Sequence, residues 1–192
     1  MSGPRPRGVA LPAQPDTLGA LEAMRAIILS ECLVGGVTPF AALSAADAAR
    51  YGVSYAAFIG RPKDVNDAYL PQLNLWIPAE PDSAAQSPGN EVALVGVVGR
   101  ANATFEAIVH VMVDMRADWY ASERQALAIR DALWSALLRH ERLAGLAPTV
   151  TASEARPGRG LTYEQIAGVE YRVIEARWWA RQEWLIAGGL VV

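Results

Sequence analysis

Cysteine is almost missing from this chain of 192 residues: Cys32 stands alone, which excludes an internal disulfide. Histidine is nearly as scarce, with His110 and His140 the whole complement. No HExxH or CxxC spacing occurs, so the common zinc-site patterns are excluded. Lysine occurs once, at Lys63, and every other basic residue is arginine. That bias fits either selection for bidentate contacts or a GC-rich coding sequence. Long apolar runs are missing too. Nothing approaches the ~20 residues that cross a bilayer. The opening MSGPRPRGVALPAQPD holds charges but no apolar stretch suited to a signal peptide. A soluble protein made in the cytoplasm, with no membrane partner, is the expectation. The net charge is only -3, which gives no ground for a nucleic-acid partner.

What is present is a globular composition, 52% hydrophobic and 19% charged. The chain is long enough to bury a core without staples. One domain is expected over residues 17–186. A proline- and glycine-rich arm precedes it at 1–16, a polar loop interrupts it at 79–91, and a tail follows at 187–192. The predicted class is α+β: a mainly antiparallel sheet of about four strands, packed by a long central helix and an N-terminal helix, with extended arms.

Asp16 or Thr17 is placed to cap a first helix that stops at Gly35-Gly36. At ~100° per residue, Leu18, Leu21, Ile28, Leu29 and Cys32 share its apolar face, so Cys32 reads as buried. Ser44 suits the start of a short helix ending at Gly52. A strand-like VSYAAFIG follows at 53–60. In LPQLNLWIP, Leu73, Leu75 and Ile77 alternate against Asn74 and Trp76. Flanking Pro71 and Pro78 predict an edge strand or an extended arm.

Strands at 92–98 and 105–115, joined by GRANA, predict a long hairpin. In the second, Phe105, Ala107, Val109, Val111 and Val113 make an apolar face suited to a helix. Glu106, Ile108, His110, Met112 and Asp114 make a mixed face, half covered or at an interface. The central helix is predicted at 122–143, with Ser122 as its cap. Ala126, Ile129, Leu133, Ala136 and Leu137 form one apolar stripe. Leu127, Trp134 and Leu138 form a second. Arg130 lies between them, in line with Glu123 and Glu141. One stripe suffices to cover a sheet. The other needs the N-terminal helix or a neighbouring subunit.

PTVTASEA at 148–155 reads as a strand and RPGRGLTY as a loop. The last strand, 169 to about 184, is long against a usual five or six residues. Alternation puts Arg177, Trp179 and Arg181 on one side of it and Trp178 and Trp184 on the other. Tryptophan with arginine fits a protein interface, a core edge with solvated arginines, or base stacking.

Signs of catalysis are few. No GxxxxGK[ST] loop and no GxSxG elbow occur, and residues 156–160, RPGRG, lack the strand–loop–helix setting of a nucleotide cradle. His110 and Asp114 share a strand face but stand ~13 Å apart, too far to pair. His140 sits at a helix end, facing solvent or the negative end of the dipole. No catalytic, cofactor or metal residue is assigned.

The order of elements, with TFEAIVHVMVDMRADWYASERQALAIRDALWSALLRH at 104–140 and the final GVEYRVIEARWW, resembles the tail terminator (tail completion) proteins of long-tailed bacteriophages. The resemblance spans about half the chain as a pattern of elements. It implies a structural protein, not an enzyme. Such a protein would form a homo-hexameric ring on the head-proximal end of the tail tube. It would stop tube polymerisation and offer a surface to the head-tail connector. Its implied partners are further copies of itself, the tail tube protein and the connector, with DNA passing through the lumen unread. Its implied place is the virion, after synthesis in the host cytoplasm. The candidate interface residues are Leu127, Arg130, Trp134, Leu138, Arg177, Trp179 and Arg181. Open alternatives are another connector or baseplate component, or a small-molecule-binding or enzyme domain with a pocket near Trp178 and His110.

Overall fold

The computed structural model describes residues 16–62, 66–78, 92–94, 100–115, 118–139 and 150–185. The class is α+β, with a long central helix packed on a mixed sheet. The predicted arm, the 79–91 loop, the tail and His140 lie outside those residues, apart from Asp16 at the arm's last position.

Local chemistry sets most element ends. Helix α1 spans Thr17–Glu31; the Asp16 carboxylate accepts a 2.8 Å hydrogen bond from the Gly19 amide at its start. Its buried face is Ala20, Leu21, Met24, Ile27, Ile28 and Cys32. Leu18, expected on that face, is 58% exposed, and Leu29 is only half-buried. The stripe is centred on Met24, ~120° around the helix from Leu18 at 3.6 residues per turn. Helix α2, Ala45–Tyr51, begins at Ser44 and ends on Gly52 at φ 68°, a left-handed position that suits glycine.

Strand β1 is Ala57–Ile59 and β2 is Gln72–Trp76, with a 3-10 turn, Asp67–Tyr69, between them. β2 is not the edge strand its prolines predict. It lies between β1, to which it runs parallel, and a long strand, β4 (Arg100–Val113). Pro71 and Pro78 fall outside the five residues of β2, so no ladder donor is lost.

Strand β3, Val92–Leu94, pairs antiparallel with Ala101, Asn102 and Ala103 at the start of β4. The hairpin is therefore real, but the predicted connector GRANA is largely strand. Helix α3 spans Trp119–Arg139, starting earlier than predicted. Asp118, not Ser122, supports its first turn, accepting from the amides of Tyr120 at 2.9 Å and Ala121 at 3.3 Å. Ser122 is buried and its hydroxyl donates to the Asp114 carbonyl, fastening the helix to the end of β4.

The largest departure is strand β5, Val150–Ile166, which takes in the predicted loop at 156–163. It stays paired by shifting register between Pro157 and Gly160. The bulge absorbs the residues that local chemistry reads as a loop. Ala167 and Gly168, both at positive φ (52° and 84°), turn it into β6, Val169–Leu185. β6 pairs without interruption along all of β4. The sheet order is β1-β2-β4-β6-β5, with β3 beside β4.

Both long helices cover one sheet face. α1 packs on β1 and β2, and α3 on β4, β5 and β6. Between them lies the core: Phe105, Ala107, Val109, Val111 and Val113 with Leu73, Leu75, Ile174, Ala176 and Trp178 from the sheet, and Ala126, Ile129, Leu133, Ala136 and Leu137 from α3. Neither long helix packs on the outer face.

Candidate functional site

The candidate interface residues fall into two separate groups. The first lies on α3. Leu138 is 58% exposed, while Leu127 and Trp134 are half-buried. α1 does not cover this flank. It meets α3 where the Cys32 thiol donates to the Ile129 carbonyl at 3.9 Å and Arg139 pairs with Glu31 at 3.5 Å. Arg139 stands ~140° around the helix from Trp134 at 3.6 residues per turn. The flank holding Leu127, Trp134 and Leu138 is instead the one from which Glu123 reaches toward β6. Arg130 pairs with its neighbour Asp131 at 2.8 Å, not with Glu123. Glu141 lies outside the described residues.

Glu123 is engaged elsewhere. It forms an ion pair with Arg172 of β6, which is 1% exposed. Arg172 also donates to the Tyr163 hydroxyl at 2.6 Å and lies over the Tyr163 ring at 5.0 Å. A helix start, β5 and β6 are thus held by one buried guanidinium. Sequence reading missed this clamp, because Glu123 and Tyr163 reach Arg172 from other elements of the fold.

The second group lies on the outer sheet face. Arg177, Trp179 and Arg181 share it, as alternation predicts; Trp178 and Trp184 lie on the opposite side, and Trp178 packs in the core with the helices. Arg177 is held at 3.3 Å from both Glu106 and Glu175. Arg181 is 3.8 Å from Glu183, and Arg156 is 3.4 Å from Glu154. Arg156 also stacks over the Trp179 ring at 5.8 Å. The result is a plate of alternating charge on three strands, with a tryptophan at its middle. At one end of the same face, Met112, Tyr171 and Val173 form a small apolar cluster with Leu70, Ile166 and Val169. The structure does not bring the two groups together; the sheet separates them.

The outer face also holds His110, 2% exposed. Its partner is Glu164, with Nε2 3.0 Å from the carboxylate, and its ring meets Trp76 edge to face at 5.2 Å between centroids. Glu164 sits on a strand that sequence reading broke into a loop, so this pair was not legible. A pocket shared by His110 and Trp178 is ruled out: Trp178 is fully buried on the helix face and His110 is on the other.

Burial holds the His110 pKa below its ordinary 6.5, against the opposing pull of Glu164 and Glu175 and with a further lowering from Arg61. The unfolded ring takes up a proton as pH falls through 6.5, whereas the folded one resists. The stability this group contributes is therefore present above that pH and lost as pH falls toward the folded value. Wild-type protein should lose melting temperature faster than His110→Gln between pH 7 and about 5. Parallel scans of the two proteins at matched ionic strength test it; equal slopes would remove the assignment.

Burial also pushes the Cys32 thiol up to about 12, which leaves it a packed apolar group with no nucleophilic use near neutrality. Among the described residues no cluster of three or more His, Cys, Asp or Glu could hold a metal ion. Among them, too, no helix is long and apolar enough to cross a membrane. Compared with known protein families and with curated proteins, the chain matches none.

Proposed function

We propose that the chain is a structural subunit of a phage-type tail, capping the head-proximal end of the tail tube as a hexameric ring. In this reading it stops tube growth and presents a joining surface to the head-tail connector. The tail tube protein, the connector and further copies of itself are the partners, and DNA passes through the lumen without being read.

One observation supports this most. The fold carries two chemically different surfaces on opposite sides: the apolar flank ending at Leu138, and the charged plate around Trp179. A ring is built from head-to-tail contacts, which join two different patches of the same protein. A mixed plate of fixed ion pairs favours one register over others, since like charges brought opposite each other are penalised. The element order that resembles tail terminators adds to this.

The test is co-expression with a tail tube protein and electron microscopy of the tubes. Capped tubes of limited length support the reading. Tubes whose length and ends are indifferent to the chain would sink it. Leu138→Asp separates surface from core. Because Leu138 is 58% exposed, the variant should keep its unfolding free energy within about 0.5 kcal/mol of wild type. It should nevertheless fail to form the ring, a species near six times 20.6 kDa, by light scattering.

A further inference from the structure

Strand β5 ends the sheet, and among the described residues only β6 pairs with it. Its far side is a strand edge 17 residues long, roughly 56 Å at about 3.3 Å each, and such an edge is a template for a further strand. The bulge at Pro157 interrupts it, but 152–157 and 160–166 are each in regular register. α1 packs on β1 and β2, so the opposite flank of α3, with half-buried Leu127 and Trp134, lies toward this edge. Edge and apolar flank together make one groove. The start of α1 stands beside it. Gln182 Nε2 donates to the Asp16 carbonyl at 3.0 Å, and Gln182 is the strand partner of Val150, the first residue of β5. Residues 1–15, which lead to that point, lie outside the described residues.

We infer that residues 3–13 pair antiparallel with the outer edge of the chain's own β5. Reach is the first reason. From Ala13 to Asp16 an extended backbone covers about 10 Å, the two strand spacings between β6 and a strand beyond β5. The placing of proline in GPRPRGVALPA is the second. In an antiparallel edge strand, alternate residues turn both N–H and C=O toward the neighbour, and those between turn them to solvent. Proline is tolerated only at the latter. Pro4, Pro6 and Pro12 all fall on even positions, so one register keeps every odd residue as a donor and loses no ladder bond. Odd residues also share a face, which sets Val9 and Leu11 against Leu127 and Trp134 of α3. Leu138, 58% exposed, stays outside this contact. The placement does not depend on the ring reading above.

Hydrogen exchange of the full-length protein, read by mass spectrometry on peptides from 150–166, tests the pairing. Ala10→Pro removes an N–H that faces solvent and should leave exchange as in wild type. Val9→Pro removes one that faces β5 and should speed exchange there by about tenfold or more. Val9→Ala keeps that N–H and should exchange well below Val9→Pro. Deleting residues 1–13 should match Val9→Pro. Equal exchange in Ala10→Pro and Val9→Pro overturns the pairing. So does a deletion that leaves 150–166 as protected as wild type. Val9→Ala exchanging as fast as Val9→Pro overturns it too, since the side chain and not the amide would then matter. Protection that is lost on dilution would put a second copy's arm on the edge and overturn the assignment to the chain's own β5. If the shortened protein fails to fold, the two proline variants decide.

Discussion

Glu123→Ala should destabilise the fold by about 3 kcal/mol, the low end for a buried ion pair that loses one partner. The asymmetry of the pair sets the figure. Glu123 is 30% exposed, so removing Arg172 leaves a carboxylate that water can reach. Arg172 is 1% exposed, so removing Glu123 leaves a guanidinium whose remaining support is the Tyr163 hydroxyl and ring. The loss should appear as a melting temperature lower by about 6–12 °C, at 2–4 °C per kcal/mol for a domain of this size. The double variant Glu123→Leu/Arg172→Met should regain most of it, because an apolar pair of similar size needs no partner. Urea unfolding of the three proteins measures both steps. A single variant as stable as wild type would show that the pair does not hold the start of α3 to β6.

Trp178→Ala is expected to cost about 3–5 kcal/mol, the range for emptying a buried aromatic site. Trp178 is fully buried on the helix face of β6, directly across from Ala107 on β4 and Ala155 on β5. Those neighbours are small, and a strand paired on both edges cannot collapse into the space left behind. Trp178→Phe should cost much less. It keeps most of the volume and removes an indole N–H that has no partner among the described residues. Equal losses for Phe and Ala would mean that the indole N–H is satisfied and matters more than the volume. Denaturant midpoints with unchanged slopes are the readout.

The residues themselves explain which parts of the fold were legible. Period two in β4 arises because one face meets the helices while the other, also largely buried, carries polar pairs; period 3.6 in α3 arises from one-sided burial, and both were read correctly. Asp16, Ser44 and Gly52 mark helix ends through local hydrogen bonds and a local dihedral, and they too were readable. The failures share a cause. Pro157 and Gly160 signal a loop locally, yet β5 runs through them because pairing with β6 on either side outweighs a short bulge. Pro71 and Pro78 signal an edge, yet they clear β2 by position alone. Ser122 looks like a cap, yet the helix starts at Trp119 because Asp118 reaches the first amides.

The candidate site divides in the same way. That Arg177, Trp179 and Arg181 share a side follows from strand alternation, and the structure agrees. That Arg177 is tied to Glu106 and Glu175, that Glu123 serves Arg172 rather than Arg130, and that His110 meets Glu164 depend on strand neighbours far apart in the chain. By itself the sequence determined the class of fold, the apolar face of β4, the main stripe of α3 and the inertness of Cys32, because each follows from the spacing of residues along one element. Only the tertiary structure decided strand order, the reach of β5, the clamp at Arg172 and the pairing around His110. Those depend on which elements lie side by side, and spacing along a single strand or helix carries no record of its neighbours.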